Sequence, residues 1–488
     1  MLLGLDLGTG SVKALCMDSD GKAVGESAIS YAVQSPRPGW AESDPEEWWE
    51  AAAEAIREAV GERSAEIEGI GLSGQMHGVV LTDANGSPSR NAVLWADARS
   101  VDQLAAYRDL DSSLRRKLAN PVSAGMAGPS LLWIRDHERG VYASARWALQ
   151  PKDWLRLRLT GEAAAEPSDA SATLLYDLEE DGWAGGVIEA LGLREDLLAP
   201  LTPSASVAGK LSKEAAATLG LREGIPVAAG AADTAAAMLG SGLFEPGVVQ
   251  LTVGTGGQIV VPRDNPDPDS NERTHLYRTA LEGPGRWYAM AAIQNAGLAL
   301  EWARKVLGAS WEDVYEEAFA TPPGAEGATF LPYLSGERTP PFDPNARGAW
   351  TGLGLNHTRG HLLRAALEGM AFALREGVEA LEAAGAQVPE LRLAGGGTAG
   401  EPWRRLLADV LGRPLLLLPD EVARAASARG AAFLGGIASG VYRGTDEIRA
   451  LTPAPERKIQ PGEASPGYDA VYARYRELYP RLHREAGL

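Results

Sequence analysis

The sequence predicts an α/β protein of two similarly built domains that face a shared cleft. Two hairpins and the chain length carry that prediction. Residues 2–7 and 12–17 are short apolar runs joined by Gly8-Thr9-Gly10-Ser11, the pattern of a β-hairpin. Half a chain later, apolar runs at 248–253 and 259–261 flank Gly254-Thr255-Gly256-Gly257. Leu5-Asp6-Leu7-Gly8-Thr9-Gly10 and Leu251-Thr252-Val253-Gly254-Thr255-Gly256 correspond position by position, the trace that a pair of related domains leaves in a sequence. The 488 residues exceed one domain at roughly 100–200 residues each. The boundary is expected near 242–246, in Gly242-Leu243-Phe244-Glu245-Pro246-Gly247, giving domains of 1–243 and 244–488.

The elements follow in order. An antiparallel opening argues against a dinucleotide-binding fold, which begins strand–helix–strand. Ser19-Asp20-Gly21-Lys22 turns the chain into a third strand within 23–33. Asp44-Pro45-Glu46-Glu47 opens a helix that reaches about Val60. Asp44 is its expected N-cap, Pro45 takes the first helical position, and acids fill the first turn. Strands are expected at 67–72 and 79–82, the second closed by Asp83-Ala84-Asn85-Gly86. The middle reads as mostly helical, with tryptophans at Trp133, Trp147 and Trp154. Residues 224–230 form a turn and a strand. Helices are predicted over 291–307, 358–384, 401–411 and 423–438, and a strand at 391–394 runs into Gly395-Gly396-Gly397. Residues 467–485 read as an amphipathic packing helix, with Val471, Tyr475, Leu478 and Leu482 at helical spacing.

Composition bounds the partners. The chain is 45% hydrophobic and 23% charged, which is ordinary globular usage. Its net charge of −19 repels nucleic acid and anionic membranes, and both are excluded as general partners. A nucleotide site must then be local, made from backbone N–H groups, a few cations and a metal. The lone Cys16 permits neither an internal disulfide nor a cysteine zinc site and points to a reducing compartment; it reads as a buried thiol. Asp6 interrupts the apolar N-terminus and no basic segment precedes it, so no signal peptide is expected. No run reaches the roughly 18 apolar residues of a membrane helix. The expected location is the cytoplasm.

Four segments carry candidate chemistry. Glycines at a hairpin tip free backbone N–H groups and let a phosphate approach, and a threonine hydroxyl adds a donor. Two such tips, Gly8-Thr9-Gly10-Ser11 and Gly254-Thr255-Gly256, could clamp a nucleotide; either alone is also good turn chemistry. Asp6 tips the balance, because a carboxylate in an apolar strand needs a partner or a metal. Magnesium held on phosphates meets that need. Asp233, after a buried strand and among small residues, suits a helix N-cap and a general base equally. Gln75, Met76 and His77 lie between Gly74 and Gly78 and suit a sugar's hydroxyls. Trp95 offers a platform for sugar C–H groups, and Asp97 either joins it or simply pairs with Arg99.

At these residues the chain resembles the FGGY family of carbohydrate kinases. Segments 3–13, 71–78, 95–99, 151–162, 230–236, 252–257, 330–348, 367–377 and 393–400 occur in the family's order. The resemblance therefore covers nearly the whole chain. The opening segment is shared with the wider actin, hexokinase and heat-shock ATPase group. Gly74-Gln75-Met76-His77-Gly78, the segment 151–162 and the stretch around Glu337 and Arg338 look specifically like xylulokinases. The resemblance implies two RNase H-like domains of the actin/hexokinase type with a catalytic cleft between them. It implies ATP and Mg2+ as cofactors, and phosphorylation of D-xylulose to D-xylulose 5-phosphate by in-line transfer. Asp233 would be the general base and Asp6 would place the metal. Gly8, Thr9, Gly10, Ser11 and Lys13, with Gly254, Thr255 and Gly256, would line the phosphates. Gly395, Gly396 and Gly397 would approach the adenosine. Gln75, Met76, His77, Trp95, Asp97 and Asp233 would surround the sugar, and Glu337 and Arg338 would be structural or cleft-lining.

Two positions depart from the pattern. Xylulokinases usually carry Asn after the catalytic Asp, where this chain has Thr234, and Asn before the second Asp, where it has Ala96. Both lie beside the implied sugar pocket, which keeps a kinase for another ketose or polyol, such as ribulose, in play. Glycerol is disfavoured, because glycerol kinases carry Arg-Glu at the Met76-His77 positions. An actin- or chaperone-like ATPase would turn over ATP without regard to sugars. A sugar-responsive repressor would need a helix-turn-helix arm. A homodimer is left open. Sugar binding is expected to close the cleft about a hinge at 242–247.

Overall fold

A computed structural model describes residues 1–283 and 285–485. The domain expected to run to 488 is therefore described to 485. The first hairpin forms: β1 (Leu2–Leu7) pairs antiparallel with β2 (Ser11–Met17), and β3 (Ala23–Ser30) continues the meander. On its other edge β1 pairs parallel with β4 (Gly69–Gly74). β5 (Val207–Lys210), β6 (Pro226–Ala228) and β7 (Ala231–Ala232) complete the sheet. The path runs β5-β6-β4-β1-β2-β3, with β7 also paired to β4.

The second half repeats this construction. β8 (Val249–Val253) and β9 (Gly257–Arg263) form the second hairpin. β10 (His275–Arg278), β11 (Trp287–Ile293), β12 (Leu391–Ala394), β13 (Leu415–Leu417) and β14 (Arg457–Ile459) give the order β10-β11-β9-β8-β12-β13-β14. From β3 to β5 the pairings run antiparallel, antiparallel, parallel, parallel, antiparallel. From β11 to β14 they run in the same sequence. The short hairpin repeat is thus the visible part of a six-strand order that occurs twice.

Helix α1 (Pro45–Val60) starts as its sequence predicts: Asp44 accepts the Glu46 N–H at 2.9 Å, and Pro45 follows it. It covers the outer face of the first sheet, where Trp48, Ile56 and Val60 pack with α2 (Pro151–Thr160) in one apolar cluster. α3 (Asp233–Ser241) and α4 (Gly297–Val306) follow, then α5 (Arg359–Ala383), which builds the core of the second half. α6 (Asp420–Ser439) crosses between the halves. It lies flat on β1 and β4, so close that a Cβ on Gly71 would sit 1.8 Å from the Ala431 carbonyl oxygen. α3 and α6 cross at similar range, with Gly430 against Ala236. Met238 and Leu239 of α3 in turn pack with Val260, Tyr277 and Tyr288 of the second sheet.

Several expectations change. The segment 291–307 is the end of strand β11 followed by α4, not one helix. Both faces of β11 are buried, and a strand without a polar face loses the alternation that would mark it. The third strand stops at Ser30, where Tyr31 turns back to the first tip. The C-terminal helix is two, Tyr468–Arg476 and Leu478–Glu485. Helix α6, counted with the second domain, seats on the sheet of the first. Among the described residues no helix is long and apolar enough to cross a membrane.

Candidate active site

Parallel pairing brings the two candidate carboxylates together. Asp6 on β1 lies opposite Ser73 on β4, and Ser73 lies opposite Ala231 on β7. Asp233 starts α3 directly after β7. The Ser73 hydroxyl donates to Asp6 Oδ1 at 3.1 Å. Burial pushes the Asp6 carboxyl up, with Ser73 and Lys13 pulling against it. Asp233 is pushed up to about 7, first by burial and then by the charge of Asp6, against bonds from Thr234. The N-cap position belongs to Ala232, not Asp233. Asp233 Oδ1 instead takes the Thr234 N–H at 2.5 Å and the Thr234 hydroxyl at 3.1 Å. The Thr234 hydroxyl also reaches Gln258 on β9 at 3.5 Å, so the first carboxylate pair is linked to the second hairpin.

The first tip is braced from three sides. The Tyr31 hydroxyl and the Gln75 amide at 3.3 Å donate to the Gly8 carbonyl. Trp95 Nε1 donates to Thr9 Oγ1 at 2.9 Å, which leaves the Thr9 hydroxyl hydrogen to donate elsewhere. Ser11 opens β2 at the far side of this turn, where the Gly8 N–H meets its carbonyl at 2.9 Å. At the second tip, the Gly254 and Thr255 carbonyls receive N–H groups from residues 296–298 at the start of α4.

Packing separates the glycines. A Cβ would meet nothing within 4 Å at Gly10 or Gly396, and its nearest neighbour at Gly254 lies 3.9 Å away. At Gly395 and Gly397 it would press on the Val253 carbonyl at 2.6 and 2.8 Å, and at Gly256 on Ile293 at 2.9 Å. Gly395, Gly397 and Gly256 are therefore explained by the sheet itself, and Gly10, Gly254 and Gly396 are the ones left open to a ligand. Gly395 and Thr398 line a cavity of about 250 Å3 with Arg404, Asp420 and Arg457. The Lys13 ammonium donates to the Arg424 carbonyl on α6 at 2.9 Å and lies near enough to Asp6 to lower its carboxyl.

Met76 and His77 are buried, at 5% and 7% exposure. His77 adopts φ 71, an uncommon left-handed conformation for a non-glycine residue. Its Nδ1 meets the Ala172 carbonyl at 2.8 Å. A carbonyl only accepts, so Nδ1 is the donor, and Nε2 of the neutral ring is an acceptor. Burial, helped by Arg338, lowers the imidazole to about 4, against the bond to Ala172. Asp97 does not join this pocket. Its carboxylate accepts from the Ala41 N–H and from the Arg99 N–H, Nε and Nη2, so the pairing alternative stands.

Sequence reasoning missed three aromatic residues of the second half, His275, Tyr277 and Tyr288, and gave Glu337 and Arg338 only a structural or cleft-lining role. His275 and Tyr277 on β10 stack with ring centroids 5.5 Å apart, and Tyr277 lies 6.0 Å from His77. The Tyr288 hydroxyl points at the Met76 sulfur, 3.9 Å away. Arg338 lies over Trp95, 5.1 Å from the ring centroid. Glu337 accepts the Gln294 N–H at 2.6 Å, and burial pushes its carboxyl up to about 7. Behind the site, buried Lys152 bridges Asp153, Glu166 and Asp169 at 2.9, 3.1 and 2.8 Å. Glu166 holds the Ser168 hydroxyl, which receives the Ala232 N–H at 2.9 Å, one residue before Asp233.

Family models match both halves: the N-terminal domain of the FGGY family of carbohydrate kinases at residues 1–240 and its C-terminal domain at 249–439. The chain belongs to the FGGY family of carbohydrate kinases. This FGGY kinase is 33% identical to the xylulose kinase of Escherichia coli (strain K12), covering 99% of each chain. It is 32% identical to the glycerol kinase of Leptothrix cholodnii over 94% of the chain and 95% of that relative. A crystal structure described as a xyloylose kinase from Brucella ovis superposes with a TM-score of 0.90 at 38% identity, covering 99% of both chains. The xylulose kinase of Rhodospirillum rubrum gives 0.88 at 32%, again covering 99% of both.

Proposed function

We propose that this carbohydrate kinase transfers the γ-phosphoryl group of ATP to D-xylulose, giving D-xylulose 5-phosphate and ADP. The observation that carries the chemistry is Asp233, a carboxyl lifted to about 7 beside a second carboxylate, Asp6. A base works best when its pKa lies near the working pH. Asp233 takes the proton of the sugar hydroxyl as that oxygen bonds to the γ-phosphorus and the bond to the β,γ-bridging oxygen breaks. The substrate rests on the xylulose kinases that resemble the chain from end to end, and on Met76-His77, where glycerol kinases carry Arg-Glu.

On this reading residues 1–243 hold the sugar and the first phosphate tip, and 244–488 hold the nucleotide. Gly10 and Gly254, with Thr9 and Thr255, present backbone and hydroxyl donors to the phosphates. The adenosine lies along Gly396. Asp6 suits Mg2+: among the described residues no group of three or more His, Cys, Asp or Glu could hold an ion, and Mg2+ on a nucleotide needs only one or two carboxylates besides phosphate and water. Bound there, Mg2+ would neutralise developing phosphate charge. The single buried Cys16 fits a reducing compartment, and the enzyme is assigned to the cytoplasm.

The test is ADP release with and without a panel of ketoses and polyols. The reading expects ADP to rise with D-xylulose well above the sugar-free rate. ADP release indifferent to every sugar would overturn it. A stronger response to ribulose or to glycerol would move the assignment within the family.

A further inference from the structure

We infer that the second half of the chain supplies a wall of the sugar pocket, with His275, Tyr277 and Arg338 reading the oxygens of an open-chain ketose. The inference rests on the kinase reading above and names how its acceptor is recognised.

The first observation is a set of unmade hydrogen bonds. Among the described residues, the Tyr277 hydroxyl, His275 Nδ1 and Gln75 Oε1 are buried without a partner. Tyr277 is 0% exposed, His275 3% and Gln75 2%. Buried polar atoms are nearly always bonded, because leaving one unpaired forfeits its hydration. Two of the three belong to rings that continue the His77 ring: His77 to Tyr277, then Tyr277 to His275. A molecule with several hydroxyls at short spacing satisfies such a set.

The second observation is a cation that forms no salt bridge among the described residues. Arg338 is half-buried. Its neighbour Glu337 points its carboxylate at the Gln294 and Arg338 N–H groups instead of at the guanidinium. The guanidinium rests on Trp95, whose Nε1 is tied to Thr9 of the first tip. Arg338 thus reaches from the second half to a residue bonded to the phosphate tip of the first. Its charge adds to burial in holding His77 and His275 neutral.

One cation, two imidazoles held neutral by burial and a phenol offer donors and acceptors to a neutral molecule. They match a ketose. A guanidinium only donates and suits an oxygen that only accepts, which is the ketone carbonyl; imidazole and phenol donate or accept and suit hydroxyls. The first half offers Met76, His77 Nε2 and the base Asp233 to the same molecule. A sugar held this way touches both halves and draws them together.

The experiment compares wild type, Tyr277→Phe, Arg338→Met and Arg338→Lys by KM for D-xylulose, KM for ATP, kcat and Tm. The acceptors are D-xylulose, analogues each lacking one hydroxyl, and xylitol, which lacks the carbonyl. Tyr277→Phe should raise the D-xylulose KM about tenfold, the usual worth of one neutral hydrogen bond, leaving the ATP KM and Tm in place. For one deoxy analogue it should match wild type in kcat/KM. Arg338→Met should cost roughly 10–100-fold in kcat/KM for D-xylulose, in the range of a charged hydrogen bond, and erase the preference over xylitol. Arg338→Lys should retain part of that preference. Unchanged D-xylulose KM in both Tyr277→Phe and Arg338→Met would overturn the inference, as would a rise in the ATP KM alone. If wild type prefers another sugar, the substrate assignment falls while the same comparison made with that sugar still decides the wall.

Discussion

The order β3-β2-β1-β4-β6-β5 in the first half recurs as β11-β9-β8-β12-β13-β14 in the second, but matching positions carry different chemistry. β1 presents Asp6 where β8 presents Thr252. β4 runs into Gly74-Gln75-Met76-His77 where β12 runs into Gly395-Gly396-Gly397. α3 opens on Asp233 and α6 on Asp420, which lines the cavity beside Gly395. One architecture has been specialised twice, into a carboxylate-bearing half and a half of open backbone. The lesson is that a shared scaffold fixes where residues sit and leaves their chemistry free.

Exchanging residues between the halves should break this asymmetry. Asp6→Asn removes the charge at the first tip and should lower kcat roughly 10²–10³-fold, the scale of losing one preorganised electrostatic group. Thr252→Ala, its counterpart, should change kcat less than tenfold, about one hydrogen bond's worth. Steady-state kinetics at saturating ATP distinguish them, and equal losses would contradict the division of labour.

Behind the first half one buried cation serves three carboxylates, where the second half buries the pair Arg364 and Glu368. Lys152→Met leaves Asp153, Glu166 and Asp169 buried without their shared cation, and breaking a buried ion pair costs about 3–5 kcal/mol. Denaturant titration should show that loss. A loss under 1 kcal/mol would mean that the network does not organise the approach to Asp233.

Asp233 also makes stability depend on pH. Its folded pKa, about 7, lies above the ordinary carboxyl value near 3.9. The folded protein therefore holds a proton that the unfolded chain has released. That contribution is present below about pH 4 and is lost as pH rises through 7. Wild type should lose stability against Asp233→Asn between pH 4 and 7, by up to about 1.4 kcal/mol per pH unit. A pH-independent difference in Tm would mean that Asp233 is not protonated in the folded state.

The smallest effects sharpen the second half. Gly395→Ala forces φ 82 on a side chain that meets the Val253 carbonyl and should cost about 1–2 kcal/mol. Gly396→Ala meets nothing, so its Tm should hold and any change should fall on the ATP KM.

Local signals were legible in the sequence, and long-range ones were not. The hairpin tips, the Asp44 cap and the Asp6 and Asp233 positions are set by neighbours in sequence. Glycines mark turns, and an isolated carboxylate in an apolar strand marks itself. The end of β11, residues 291–293, read as helix because the strand's seven buried residues leave no polar alternation. The pairing of Asp97 with Arg99, two residues on, was legible, while Ala41 on Asp97 and Arg424 on Lys13 come from distant segments. His275 and Tyr277 escaped for the same reason, and Arg338 was placed along the cleft without its partner Trp95. Only the fold brings β10 and the loop after residue 331 against His77 and Trp95.

The most direct test of the account is turnover of D-xylulose by Asp233→Asn, read beside its Tm. Asn keeps the size of the side chain and an oxygen to accept the Thr234 N–H, and removes the base. The account predicts that kcat falls roughly 10²–10⁴-fold, the range for loss of general-base catalysis, with Tm equal to or above wild type at pH 7. Near-normal turnover by Asp233→Asn would contradict it.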